Sequence, residues 1–152
     1  MKEIETAMKT KTDMKNAAAY RCINILANKQ RRYFGTLSFA SEFSGAQGKA
    51  LHYILENYDK ELFQKDLEEE FGLRPPTATV LLQHMEQNGL ISRERSSLDA
   101  RLKKIVAAEK ARSYAPILSR DLSKLEFALT AGIAPEDLAI WKKVTAQMLQ
   151  NL

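Results

Sequence analysis

Apolar residues recur at helical spacing over most of the chain, and the one stretch where that period fails locates a β element. From Asn16 to Phe34, Ala19, Ile23, Leu26 and Tyr33 fall on one stripe. Leu51, Ile54, Leu55 and Tyr58 do the same after Ser44-Gly45-Ala46-Gln47, which reads as a capping box. Phe63, Leu67 and Phe71 make a short stripe opposite Lys65, Asp66, Glu68, Glu69 and Glu70, and Gly72 follows as a helix stop able to take positive φ. Pro75 and Pro76 cannot extend that helix but suit the first turn of the next, where a missing N–H costs nothing. In that next helix Ala78, Leu81, Leu82 and Met85 point inward, leaving Thr77, Thr79, Gln83, His84 and Gln87 outside.

The period then shortens. Ile91-Ser92-Arg93-Glu94-Arg95 and Leu102-Lys103-Lys104-Ile105-Val106 are β-compatible runs joined by a polar loop, which predicts a hairpin with Leu98-Asp99-Ala100-Arg101 at its tip. Helical spacing resumes with Tyr114, Leu118, Leu122, Leu125 and Leu129, in a segment that ends at Ala131-Gly132. Pro135-Glu136-Asp137 opens a last helix bearing Leu138, Trp141, Val144, Met148 and Leu152. Pro116 would remove one hydrogen bond early in the long helix, so a bend is expected there. The predicted fold class is mainly α with a small β-hairpin wing, the elements running α1-α2-α3-α4-β-β-α5-α6.

Two short helices, a polar outer face on the second, and then a hairpin are the parts of a winged helix-turn-helix. A helix fits the major groove of DNA and reads base edges through polar side chains near its N-terminus. Residues 90–106 carry five basic residues (Arg93, Arg95, Arg101, Lys103 and Lys104) against two acids (Glu94 and Asp99), which puts positive charge where a phosphate backbone would pass.

Gly72-Leu73, Thr77 and Thr79, Leu81, Met85-Glu86, Gly89-Leu90-Ile91, Arg93, Asp99-x-Arg101, Lys103 and Glu109-Lys110 together resemble the signature of the MarR family of regulators. The resemblance implies a homodimer on a pseudo-palindromic DNA operator, with the helix from Pro75 in the major groove, Arg101 in the minor groove and Asp99 holding that arginine. The DNA-binding set is then Arg74, Thr77, Thr79, Gln83, Arg93, Asp99, Arg101 and Lys103, the partners are double-stranded DNA and a second copy of the chain, and a small-molecule effector releases a repressor from its operator. The sequence departs from the family pattern at Val80, where many members have arginine, at Glu68 and Phe63, and at Ala108 and Ala111, which leave the helix after the wing without its usual side-chain cap.

Composition fits that reading. The chain has 152 residues, 45% hydrophobic and 28% charged, as expected of one globular domain. No run approaches a membrane span, the first residues carry no apolar signal region, and a single cysteine forbids an intrachain disulfide, so a cytoplasmic protein is expected. Net charge is a mild +4, unevenly placed: residues 1–35 hold eight basic and three acidic groups, and residues 60–70 two basic and five acidic. Affinity for DNA would come from a few aimed cations and from dimerisation.

The expected layout is a polar N-terminal arm over residues 1–15, a helical dimerisation region from residues 16–34 and 112–152, and a DNA-binding winged helix over residues 44–111, all within one intertwined domain. No catalytic constellation, cofactor motif or metal set emerges: His52 and His84 lie on different helices, without a cysteine or acid at ligand spacing. Two alternatives remain open. Cys22, with Tyr20 and Tyr33 in the same segment, is a redox candidate, since some members of the family sense hydroperoxides through one such cysteine; a small buried hydrophobe is its plainer role. The winged helix could also be a protein-interaction module, but such a wing has no need of Asp99-x-Arg101 with Lys103 beside it.

Overall fold

A computed structural model describes residues 14–152, so most of the arm expected over residues 1–15 lies outside the described residues. The chain divides into two units, the first ending at Gly45 and the second running from Ala46 to Leu152. In the first, helix α1 spans Ala19–Phe34 and a single 3-10 turn follows at Ser38–Ser41. The sequence placed the start of α1 at Asn16; the structure moves it to Ala19, because Ala18 is extended, with ψ 148°, and the helical ladder cannot pass through it. Phe34, Leu37, Phe39 and Phe43 are buried, the Phe39 ring 6.3 Å from that of Phe34 and stacked at 5.5 Å on that of Phe43.

The second unit contains helices α2 (Gly45–Glu56, opening on the last residue of the first unit), α3 (Gln64–Phe71) and α4 (Pro75–Gln87). Strands β1 (Ile91–Arg95) and β2 (Lys103–Ala107) come next, then helices α5 (Glu109–Arg112), α6 (Ala115–Thr130) and α7 (Pro135–Gln150). The core takes Ala50, Leu51 and Ile54 from α2, Leu67 from α3, Ala78, Leu82 and Met85 from α4, Ile91 and Ile105 from the hairpin, and Leu118 and Leu125 from α6. The inward stripe expected of α4 is therefore present, with Leu81 at its margin.

Both helices of the helix-turn-helix end in the same way. At Gly72 (φ 60°) the N–H of Leu73 donates to the Glu68 carbonyl, and at Gly89 (φ 66°) the N–H of Leu90 donates to that of Met85 while Gly89 N–H donates to Glu86. These closures satisfy the last carbonyls and need a left-handed residue, which glycine supplies without steric cost. α3 starts with half of a capping box: Phe63 has no acceptor side chain, but the Asp66 carboxylate accepts the Phe63 N–H at 2.7 Å.

Other boundaries differ from the sequence reading as well. The second strand begins at Lys103, one residue later than expected, because Leu102 belongs to the tip: its N–H donates to the Asp99 carbonyl and its own carbonyl accepts from Ser96. Near Pro116, where a bend was expected, the helix is divided in two at Ser113-Tyr114. Pro116 has no N–H for the Arg112 carbonyl and its ring would crowd that carbonyl, so α5 stops at Arg112 and the helix restarts at Ala115, giving seven α-helices among the described residues where six were expected. Ala108 caps α5 without a side-chain bond, as its sequence implied.

The hairpin is antiparallel, with Ile91 opposite Ala107, Arg93 opposite Ile105 and Arg95 opposite Lys103. Leu62 extends it from the far side of β2, its carbonyl accepting the Ile105 N–H at 2.7 Å. That bridge sews the wing to the segment before α3, and nothing in the hydrophobic pattern marked it.

Gly72→Ala should destabilise the protein by about 1 kcal/mol, since no atom lies near the new methyl and only the left-handed backbone opposes it. Urea unfolding of the two proteins measures this.

Candidate nucleic-acid interface

α4 begins abruptly. Arg74 is its exposed N-cap residue, without a side-chain cap bond, and Pro75 and Pro76 occupy its first two positions. Thr77 and Gln83 are exposed, as the sequence suggested, and His84 and Gln87 with them. Thr79 is placed differently. It is half-buried, its hydroxyl donates to the Pro75 carbonyl at 2.9 Å and accepts from Gln64 Nε2 at 3.0 Å, and Gln64 also donates to Glu68 at 2.9 Å. Thr79 thus braces α3 against α4. The exposed position beside it is Val80, 49% accessible in the middle of the outer face.

The wing tip is defined by hydrogen bonds rather than by packing. Ser96 N–H donates to Leu102, Ser97 N–H to Glu61, Leu98 and Asp99 N–H to the Ser96 hydroxyl, Arg101 N–H to Asp99, and Leu102 N–H to the Asp99 carbonyl. These bonds pair most of the backbone donors of a seven-residue loop and oppose its rearrangement. At its end Arg101 meets Asp99 as a fork, Nε to Oδ1 at 3.2 Å and Nη2 to Oδ2 at 3.0 Å, while 89% of the arginine side chain stays open to solvent. These bonds, the side-chain ones foremost, hold the Asp99 carboxyl below its ordinary pKa. The result is a guanidinium whose direction is fixed and whose outer edge is free.

Glu61 holds the base of this tip. Its carboxylate accepts from the Ser96 hydroxyl at 2.5 Å, the Ser97 N–H at 2.9 Å and the Ser97 hydroxyl at 2.7 Å, and lies 3.2 Å from Lys104 Nζ. Such a set of donors stabilises the anion and draws its pKa from 4.5 to about 2, the Ser96 hydroxyl contributing most. Sequence reasoning missed Glu61 because its partners lie 35 or more residues ahead. The one available signal was Ser96-Ser97 next to a charged tip, which has many other meanings.

The basic residues of the hairpin separate by strand face. Ile91, Arg93 and Arg95 share one face of β1 with Ile105 and Lys103 of β2. Arg93 is the inward member: mostly covered, it places Nε 3.2 Å from Glu86 Oε2 on α4, tying the wing to that helix. Further out, Arg95 and Lys103 stand directly opposite each other and exposed. A cross-strand pair of like charges is unfavourable by itself and becomes favourable when an anion lies over it. Arg95 belongs to the basic cluster seen in the sequence but not to the DNA-binding set expected from it.

The structure therefore gathers Arg95, Arg101 and Lys103 on the outer hairpin and Arg74, Thr77, Val80 and Gln83 on the open part of α4, while turning Thr79 and Arg93 toward internal partners. Cys22 lies on α1, half-buried, with Sγ 4.0 Å from the Ala17 carbonyl.

A two-helix reader followed by a paired hairpin with a forked arginine at its tip defines a winged helix-turn-helix protein. Residues 41–102 match the sequence model of the MarR family. The transcription regulator MarR from Oenococcus oeni PSU-1 is 29% identical, with a TM-score of 0.80 over 88% of this chain and 99% of that one. The heme-free form of PefR, a heme sensor of Streptococcus agalactiae, is 28% identical with a TM-score of 0.67 over 88% and 96% of the two chains. MepR of S. aureus, solved in complex with DNA, shares the fold at 19% identity, with a TM-score of 0.80 over 90% of this chain and all of that one. The chain is thus similar in sequence to the MarR family over residues 41–102, and similar in fold to MarR-type transcription regulators over most of its length. No helix among the described residues is long and apolar enough to cross a membrane.

The depressed acidity of Glu61 sets a pH window. The unfolded chain takes up this proton near 4.5 and the folded one only near 2, so the stabilisation is complete above about 4.5 and is lost as pH falls toward 2. Carboxyl NMR should find the Glu61 midpoint well below those of other glutamates. Glu61→Gln should flatten this part of the acid stability profile and speed amide exchange at Ser97 without unfolding the core.

Proposed function

We propose that this protein is a homodimeric, sequence-specific DNA-binding repressor that lies across a pseudo-palindromic operator and is released from it by a small molecule. The observation that carries the reading is the exposed Arg101 guanidinium, aimed from the wing tip by Asp99. A narrow minor groove has a strongly negative potential and accepts such a group, and a pre-aimed fork loses little freedom on entering it. Arg95 and Lys103 then meet the flanking phosphates, which relieve their mutual repulsion, and Arg74 meets the backbone at the start of α4. Thr77 and Gln83 reach base edges or nearby phosphates in the major groove. Thr79 and Arg93 act from behind, holding α4 and the wing in position through Gln64 and Glu86.

Dimerisation is supported by apolar surface left bare in each unit. Tyr20, Ile23 and Leu26 are exposed on α1, Phe127 on α6, and Ile140, Trp141, Val144 and Leu149 on α7, which buries none of its side chains. Amphipathic helices with such stripes require cover, and a second copy supplies it symmetrically. The two α4 helices of the dimer would enter successive major grooves, with half-sites about one helical turn apart. The heme sensor PefR is a relative that responds to a small molecule, which supports an effector of that general class here, acting on a cytoplasmic regulator.

Sedimentation at micromolar concentration should give a dimer with an interface of about 1,600 Å² or more, and a monomer there would remove the basis for a two-fold operator. With an operator selected from random duplexes, Arg101→Ala should weaken binding by about 1 to 3 kcal/mol and reduce its salt dependence, while Gln83→Ala should relax preference at one position per half-site. Unchanged affinity and salt slope for Arg101→Ala would mean that the wing does not touch DNA and would leave a protein-interaction module as the better account.

A further inference from the structure

The outer face of α4 holds an apolar side chain at its centre and no strong cation. From Pro75 to Gln87 the helix contains neither lysine nor arginine. Val80 lies one turn from Thr77 on one side and from Gln83 and His84 on the other, all of them exposed. The inward stripe of Ala78, Leu82 and Met85 is already complete, so the core makes no use of Val80. Val80 thus places apolar surface at the centre of that face, where it is available to an apolar group that the face meets.

The major groove offers one strongly apolar feature, the C5-methyl of thymine. Guanine, in contrast, is read chiefly through bidentate arginine or lysine, which this face lacks, whereas glutamine is suited to adenine N6 and N7. We infer that Val80 is a specificity-determining residue that packs on a thymine C5-methyl in each half-site, so that α4 reads A·T pairs by an apolar contact with Gln83 supplying the polar one. Discrimination by α4 is then nearly independent of salt, and the ionic part of binding resides in Arg74 and the wing. The inference rests on the DNA-binding reading above.

The test uses the full-length protein and an operator selected from random duplexes. Each thymine is replaced in turn by deoxyuridine, which removes the methyl and leaves every base pair intact. For the parent protein one thymine per half-site should lose about fourfold in affinity, one buried methyl's worth, with an unchanged salt slope. Val80→Ala should bind the thymine operator more weakly by a similar factor and show no further loss with deoxyuridine at that position. Val80→Thr, which keeps the shape, should show an intermediate methyl effect, and because position 80 is on the surface all three proteins should unfold at the same temperature. Methyl effects of equal size in parent and Val80→Ala, or none at any thymine, overturn the inference while leaving operator binding in place. Failure of the parent protein to select any operator overturns the DNA-binding reading and this inference together.

Discussion

The Glu61 carboxylate, taking two hydroxyls, an amide N–H and an ammonium from a segment more than thirty residues away, fixes where the wing stands. A hairpin of two five-residue strands has little independent stability in water. Here it is joined along one edge by the Leu62 bridge to Ile105, across one face by Arg93 reaching Glu86, and at its base by Glu61. The tip therefore inherits the rigidity of the helical core although it buries almost nothing. Without that attachment Arg101 would be one more mobile surface cation, with the conformational entropy that such a side chain must lose on binding.

Two kinds of contact follow from one scaffold. The hairpin concentrates charge at its outer end, where Arg95, Lys103 and Arg101 are exposed, and on the proposed reading this charge would supply affinity and salt dependence. The outer face of α4 carries no lysine or arginine and is built from a hydroxyl, two amides, an imidazole and a valine, groups that on the proposed reading would supply selectivity. Gln64 and Thr79 fix the angle of α4 against α3, so the two kinds of contact are presented together. A net charge of only +4 on the whole chain is consistent with this economy.

Much of the architecture was legible in the residues themselves. Gly72 occupies positive φ where a helix stop was expected, Pro75 opens α4, and Asp99 grips Arg101 across two residues. These are local effects, decided by backbone sterics and by side chains within a few positions, so the order of residues contains them. The signature shared with the MarR family is a record of the same local constraints. Even the misplaced boundaries are local: the break at Ser113-Tyr114 follows from Pro116, which sits in the first turn of α6 and cannot donate back to Arg112.

Tertiary structure decided what no periodicity states. Thr79 and Val80 are adjacent on a helix, and either could have been the outward residue; packing of α3 against α4 turned the hydroxyl to Gln64 and left the valine in water. Arg93 and Arg95 look alike in the sequence, but strand pairing puts one beside Glu86 and the other opposite Lys103. Glu61 appeared as one acid in an acidic stretch until the fold brought Ser96, Ser97 and Lys104 to it. Sequence fixes what lies within a turn of helix or a reverse turn, because those geometries are set by covalent reach. Which distant partner a side chain meets depends on the docking of whole elements, and it is there that a charged residue becomes a staple or a contact.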